Sequence, residues 1–67
     1  MISYAPFWRT LEEKNLSAYD LKARYGIHTA TLRRLKDNQN MSLRTIDRLC
    51  KILGCGLGDI FEYVPDV

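Results

Sequence analysis

Shortages in this chain exclude more than its abundances suggest. Histidine occurs once, at His28, and cysteine twice, at Cys50 and Cys55. A structural zinc site takes four such ligands, so one chain cannot assemble a Cys/His cluster and no metal is expected. A disulfide between the two cysteines would not persist in a reducing cytosol; both are read as free thiols, Cys50 as a small core residue. There is no glycine-rich phosphate loop, no nucleophile motif and no clustered pair of carboxylates in an apolar setting. Glu12 and Glu13 are adjacent, which on a helix turns them about 100° apart. With 67 residues the chain also lacks the volume for a substrate pocket of about 300 Å³ or more. Enzymatic chemistry is not expected, nor is a cofactor or a small-molecule ligand.

Long apolar runs are missing too. "MISYAPFWRT" does not resemble a secretory leader, and no uncharged run approaches the ~20 residues that span a bilayer. Cytoplasmic residence is the expectation, with no membrane partner. Proline and glycine are sparse, at two and four residues, and the composition is 46% hydrophobic and 27% charged. That excludes a low-complexity or disordered chain. Residues 1–67 are expected to form one domain, in which folding buries about 60% of the surface exposed by the unfolded chain.

Acidic residues are absent from one stretch, Leu21 to Lys36, which holds Lys22, Arg24, Arg33, Arg34 and Lys36. The whole chain carries +2, so removing this +5 segment leaves −3 elsewhere. A solvated helix face ordinarily mixes signs, as Arg9, Glu12, Glu13 and Lys14 do. A one-sign segment is what an anion-binding face produces, and the expected partner is a polyanion.

Periodicity predicts helices. Tyr4, Phe7, Trp8 and Leu11 form one apolar stripe, with Ser3 as the expected cap and Pro6 tolerated in the first turn. Ser17-x-x-Asp20 reads as a capping-box variant opening a second helix, with Ala18, Leu21 and Tyr25 inward. Gly26 ends it as a left-handed residue would. A third helix is expected from about Thr29 to Lys36, with Leu32 and Leu35 inward and His28 at the cap. After the polar "DNQNM" loop, Ser42 caps a fourth helix that buries Leu43, Ile46, Leu49, Cys50 and Leu53, and Gly54 stops it. A fifth, brief helical turn is expected near 57–61, turning Leu57, Ile60 and Phe61 inward. "EYVPDV" reads as a short extended tail, 62–67.

Two short helices joined at Gly26-Ile27-His28 have the spacing of a helix-turn-helix, here about 17–36. The residues left outward on the second of them are Thr29, Ala30, Arg33, Arg34 and Lys36. Such a helix fits the DNA major groove, roughly 12 Å wide.

The segment "SAYDLKARYGIHTATLRRLKDNQNMSLRTIDRLCKILGCGLGDIFE" resembles the Cro/cI-type, XRE-like helix-turn-helix family of bacterial and phage regulators. The resemblance spans about residues 7–62. It rests on Leu21, Gly26, Ile27, Thr31-Leu32, Leu35 and the "SLRTIDRLCKILGC" helix. Lys22 stands where the family usually has alanine, His28 where it usually has serine, and Lys36 where an acid is common. The resemblance implies an all-α, compact five-helix lambda-repressor-like domain with a short extended C-terminal tail. It also implies sequence-specific binding of double-stranded DNA by a transcriptional regulator, expected to be a repressor.

On that resemblance Thr29, Ala30, Arg33 and Arg34 occupy base-facing positions. Arg34 is the leading candidate for a guanine contact, and Arg33 is open to base or phosphate. The start of the second helix, Ser17 and Ala18, offers amides and a dipole to a phosphate. Asn38, Asn40, Ser42 and Arg44 surround the start of the fourth helix and suit a second phosphate, with capping and turn-making as the alternative role. His28 is open to phosphate contact or capping. Lys22 extends the electrostatic footprint, and Lys36 is assigned to phosphate. One recognition unit offers few contacts, so a homodimer on a pseudo-palindromic operator is expected. Tyr63 and Val64 are its expected contacts, a tail folded back on its own first helix being the alternative. The rival function is a protein-interaction module on the same fold, such as an antitoxin or a polymerase-docking adaptor.

Overall fold

A computed structural model describes residues 1–66; Val67, the end of the expected 62–67 tail, lies outside them. The order is β1 (Ile2–Ser3), α1 (Ala5–Glu13), α2 (Ala18–Tyr25), α3 (Thr29–Lys36), α4 (Leu43–Leu53), a 3-10 turn (Leu57–Asp59) and β2 (Glu62–Tyr63). The core gathers Tyr4, Phe7 and Leu11 from the chain start, Leu21, Ile27 and Leu35 from the middle, and Ile46, Leu49, Leu53 and Ile60 from the end. Among the described residues no helix is long and apolar enough to cross a membrane.

Local signals explain where these helices begin and end. At α2 the capping box is complete: Asp20 N–H donates to Ser17 Oγ at 3.1 Å and Ser17 N–H to Asp20 Oδ2 at 2.9 Å. At α4, Thr45 N–H donates to Ser42 Oγ at 3.3 Å. Gly26 (φ 68) and Gly54 (φ 62) close α2 and α4 in the left-handed region, where a Cβ would add strain. Ser3 stands one residue before the cap position, which Tyr4 fills. Its Oγ still accepts the Ala5 N–H at 3.2 Å, so it serves the first turn from there.

Five expectations need correction. Tyr25, expected inward, is 38% exposed, because it ends α2 beside the closing Gly26 and only Leu21 of that helix is fully buried. The described residues form four α-helices, not five; the fifth is a 3-10 turn of three residues. Gly56 and Gly58 flank and interrupt it, raising the entropic cost of a longer helix, and the chain must then straighten into β2. Leu57 is not in the core but 56% exposed, because that short turn directs Ile60 inward instead. Leu43 is likewise 75% exposed, since it opens α4 one turn beyond Ile46, where the helix overhangs the core. Finally, the domain is not purely helical. β1 and β2 pair antiparallel, Ile2 opposite Tyr63 and Ser3 opposite Glu62, so the tail folds back onto the chain start.

The ends are tied further. Val64 N–H donates to Met1 O at 2.8 Å and the terminal ammonium to Val64 O at 2.6 Å. Phe7 N–H reaches Ile60 O at 3.2 Å, and Thr10 Oγ1 donates to Asp59 O at 2.8 Å. Thr10 is thus buried with its hydroxyl satisfied, which holds the last turn against α1.

Candidate nucleic-acid interface

A basic surface needs a rigid base, and α3 obtains one from both sides. Leu35 is fully buried and Leu32 half-buried beneath it, while Ile27 in the preceding turn is 3% exposed. Ile27 N–H donates to Leu21 O at 3.2 Å, which fixes the turn against α2. Arg48 of α4 adds a strut, its Nη2 donating to Tyr25 O at 2.8 Å. That carbonyl lies in the last turn of α2, where helical acceptors lose their partners.

On this base the outward residues of α3 stand free. Thr29, Ala30, Arg33, Arg34 and Lys36 are all exposed, and Thr31 is half-buried. The three cations fall in the last turn of α3, where positive charge also complements the helix dipole. His28 holds the cap position in extended conformation without a side-chain cap bond. It is exposed, so its ring is not spent on the helix.

The structure brings several of the sequence-predicted residues together. A shallow, open groove of about 350 Å³ runs between α1, the start of α2 and α3, so the expectation that a chain of this size has no room for a concavity of about 300 Å³ needs correction. Ala18, Thr29, Arg33 and Lys36 line it over the half-buried Trp8 and Leu32. Two cations, a hydroxyl and the first turn of α2 therefore converge on one concavity. Asp37 also lines it and moderates its positive field.

Other candidates are already engaged in folding. Ser17 Oγ belongs to the capping box, where it also donates to Asp20 Oδ2 at 3.1 Å. The Ser17 backbone and side-chain hydrogen bonds hold the Asp20 carboxyl below the usual carboxylate range. Ser42 Oγ is held by Thr45. Asn38, in the left-handed region at φ 54, accepts the Tyr4 N–H on Oδ1 at 2.9 Å, leaving its amide nitrogen as a donor. Lys22, Asn40 and Arg44 are exposed with no side-chain hydrogen bond recorded among the described residues. Tyr63 and Val64 are 67% and 39% exposed beside β1.

Two residues position this surface in ways the sequence does not announce, Tyr4 being legible there only as part of an apolar stripe. Tyr4 sends its N–H to Asn38 and its hydroxyl to Gln39 O at 2.7 Å, clamping the α3–α4 loop; burial pushes that hydroxyl's pKa up. Arg48 is the other. Both act across long sequence separations on backbone or loop atoms, and no local pattern announces such bonds.

Similarity to known proteins agrees with this geometry. The family model described as a Cro/C1-type HTH DNA-binding domain matches residues 7–66. An uncharacterized HTH-type transcriptional regulator of Bacillus subtilis (strain 168), YozG, is 38% identical over 58 residues, covering 84% of this chain and 69% of that one. The crystal structure of the transcriptional regulator VanUg, form II, superposes with a TM-score of 0.87 at 31% identity, covering 97% of this chain and 87% of the other. The exposed basic helix on its glycine turn, the match along residues 7–66 and these two likenesses agree: this chain belongs to the Cro/C1-type helix-turn-helix family of DNA-binding transcriptional regulators.

Proposed function

We propose that the protein is a sequence-specific repressor that lays α3 into the major groove of double-stranded DNA and binds a pseudo-palindromic operator as a homodimer. The observation that carries this reading is the face of α3. Thr29, Ala30, Arg33 and Arg34 are free of intramolecular bonds among the described side chains, while the leucines behind them fix the helix. Small residues at the start of the helix permit close approach to the base edges. An arginine fork gives about 1–3 kcal/mol of discrimination at a guanine.

In this reading Arg34 meets a base edge, and Arg33 a base or phosphate. Lys36 and the first turn of α2 at Ser17 and Ala18 take phosphate in the Trp8 groove. Lys22 and His28 add to the phosphate footprint, as do Asn38 through its amide nitrogen, Asn40, Ser42 and Arg44. Residues 1–67 act as one domain, a cytoplasmic binding protein and not an enzyme, and Tyr63 and Val64 contribute to the dimer contact.

Selecting bound duplexes from a random pool, then titrating the winner and a scrambled control, tests it. A two-fold related consensus with half-sites about one helical turn apart is expected. Equal affinity for winner and control refutes sequence-specific reading. A stoichiometric foreign protein partner with no DNA would favour the interaction-module reading instead.

A further inference from the structure

The two cysteines stand where DNA reading makes no use of them, at the end of α4. Gly54 turns the chain there in the left-handed region, φ 62, and its N–H meets Cys50 O. Cys55 N–H donates to the same carbonyl at 3.1 Å. An amide just past a left-handed glycine, bonded back to the last turn, makes a Schellman ending. Such an ending brings the side chains of the two bonded residues together, and here those residues are Cys50 and Cys55.

Further observations set the thiols beside each other and within reach of solvent. Both pack against the core yet keep partial exposure. Burial pushes the Cys55 thiol up in pKa, and the neighbouring Cys50 thiol pushes it further. Asp59 acts in the same direction and Lys14 opposes it. The chain beyond Cys55 is fastened too. Gly56 N–H donates to Asp59 Oδ2 at 3.1 Å, and Asp59 O accepts Thr10 Oγ1 at 2.8 Å. Among the described residues no group of three metal-ligating side chains gathers, so the chemistry open to the pair is between its own sulfurs.

We propose that Cys50 and Cys55 form a reversible dithiol–disulfide clasp across the glycine stop of α4, closed by a low-molecular-weight disulfide such as oxidised glutathione. The thiolate of one cysteine attacks a sulfur of the external disulfide, forming a mixed disulfide and expelling one external thiolate. The thiolate of the other cysteine attacks the protein sulfur of that mixed disulfide and expels the second. The external S–S bond breaks and the protein's forms. Two electrons pass to the external disulfide, and the two cysteine protons end on the released thiolates. A disulfide needs Cα atoms about 4.4–6.8 Å apart, a separation that a direct amide-to-carbonyl bond between the same residues permits. A reducing cytosol keeps the clasp open. Closure ties the end of α4 covalently to the segment entering the 3-10 turn, which links fold stability to redox poise.

Equilibrating the full chain with mixtures of reduced and oxidised glutathione, once folded and once in urea, tests it. Free thiols are alkylated and the products counted by mass. The equilibrium constant for closing the intramolecular disulfide should be roughly tenfold or more greater in the folded chain, because the native wrap raises the effective concentration of one thiol at the other. A bond that the folded state favours stabilises that state in turn. Oxidation should therefore raise the thermal midpoint by about 5–10 °C, and dithiothreitol should reverse the rise. Cys50→Ser and Cys55→Ser chains should stop at the mixed disulfide and show no such rise. A folded chain that closes no more readily than the unfolded one overturns the proposal. So does a disulfide that joins two chains and not two residues of one, or a midpoint that fails to rise on oxidation. No readout contains DNA, so the clasp stands or falls separately from the proposed function.

Discussion

Helices α3 and α4 lie next to each other in sequence and are built to opposite rules. α4 opens on a serine cap, buries Ile46, Leu49 and Leu53, and closes on a left-handed glycine. α3 opens on His28 with no side-chain cap bond, fully buries only Leu35, and places three cations in its last turn. In α4 the caps and the buried stripe agree with the fold, with the exposed Leu43 as the exception. In α3 the choices that would add stability are given up for an exposed, positively charged face. Sites of function are where such local consistency fails. The contrast teaches that folding strength and the proposed DNA recognition reside in different helices, so single substitutions should separate them.

The largest expected effect is on the stable side. Leu49→Ala, at a fully buried position, should cost about 2–5 kcal/mol in urea unfolding. A loss below ~1 kcal/mol would mean that α4 does not anchor the core. Next comes the cap of α2: Ser17→Ala should cost ~1 kcal/mol. Its pH dependence has a definite sign. The Asp20 carboxyl is depressed in the folded state, so its contribution is present above the unfolded value and lost as pH falls through the folded one. The difference between wild type and Ser17→Ala should therefore shrink below about pH 4; a constant difference from pH 7 to pH 3 would contradict the capping-box account.

Smaller effects sharpen the contrast from the α3 side. His28→Ser supplies the missing cap and should raise the unfolding free energy by ~0.5 kcal/mol. A drop would show that the histidine ring already stabilises the turn. Lys36→Ala should leave stability within about 0.5 kcal/mol. In salt titrations of DNA binding it should weaken all sequences alike and flatten the log–log slope by about one or two units. For the proposed wild-type dimer that slope should lie near about −4 to −9, as for five to ten phosphates. A Lys36→Ala slope equal to the wild type's would remove Lys36 from the phosphate contacts.

Legibility followed the range of the interactions. The Ser17/Asp20 box, the stops at Gly26 and Gly54 and the inward Leu35, Ile46, Leu49 and Leu53 are set by neighbours within a turn or two, so spacing alone located them. β1 and β2 were not legible as a pair. Each is two residues long, too short for alternation to register, and they pair from opposite ends of the chain, Ile2 with Tyr63 and Ser3 with Glu62. The exposure of Leu43 and Leu57 was missed because periodicity reports which side of a helix is apolar, not where its neighbours end. In the candidate site the exposed residues of α3 were readable from the wheel opposite Leu32 and Leu35. That Ala18, Arg33 and Lys36 share a groove over Trp8, or that Asn38 is committed to the Tyr4 amide, depends on tertiary placement.

The central claim is that α3 reads base edges and does not merely attract phosphate, and Arg34→Ala tests it most directly. The variant and the wild type are titrated side by side against a selected duplex and a scrambled one of equal length and salt. The account predicts a loss of about 1–3 kcal/mol per half-site on the selected duplex, a much smaller loss on the scrambled one, and relaxed preference at one base pair in each half-site. Equal losses on both duplexes would contradict it, because that is how a phosphate contact behaves.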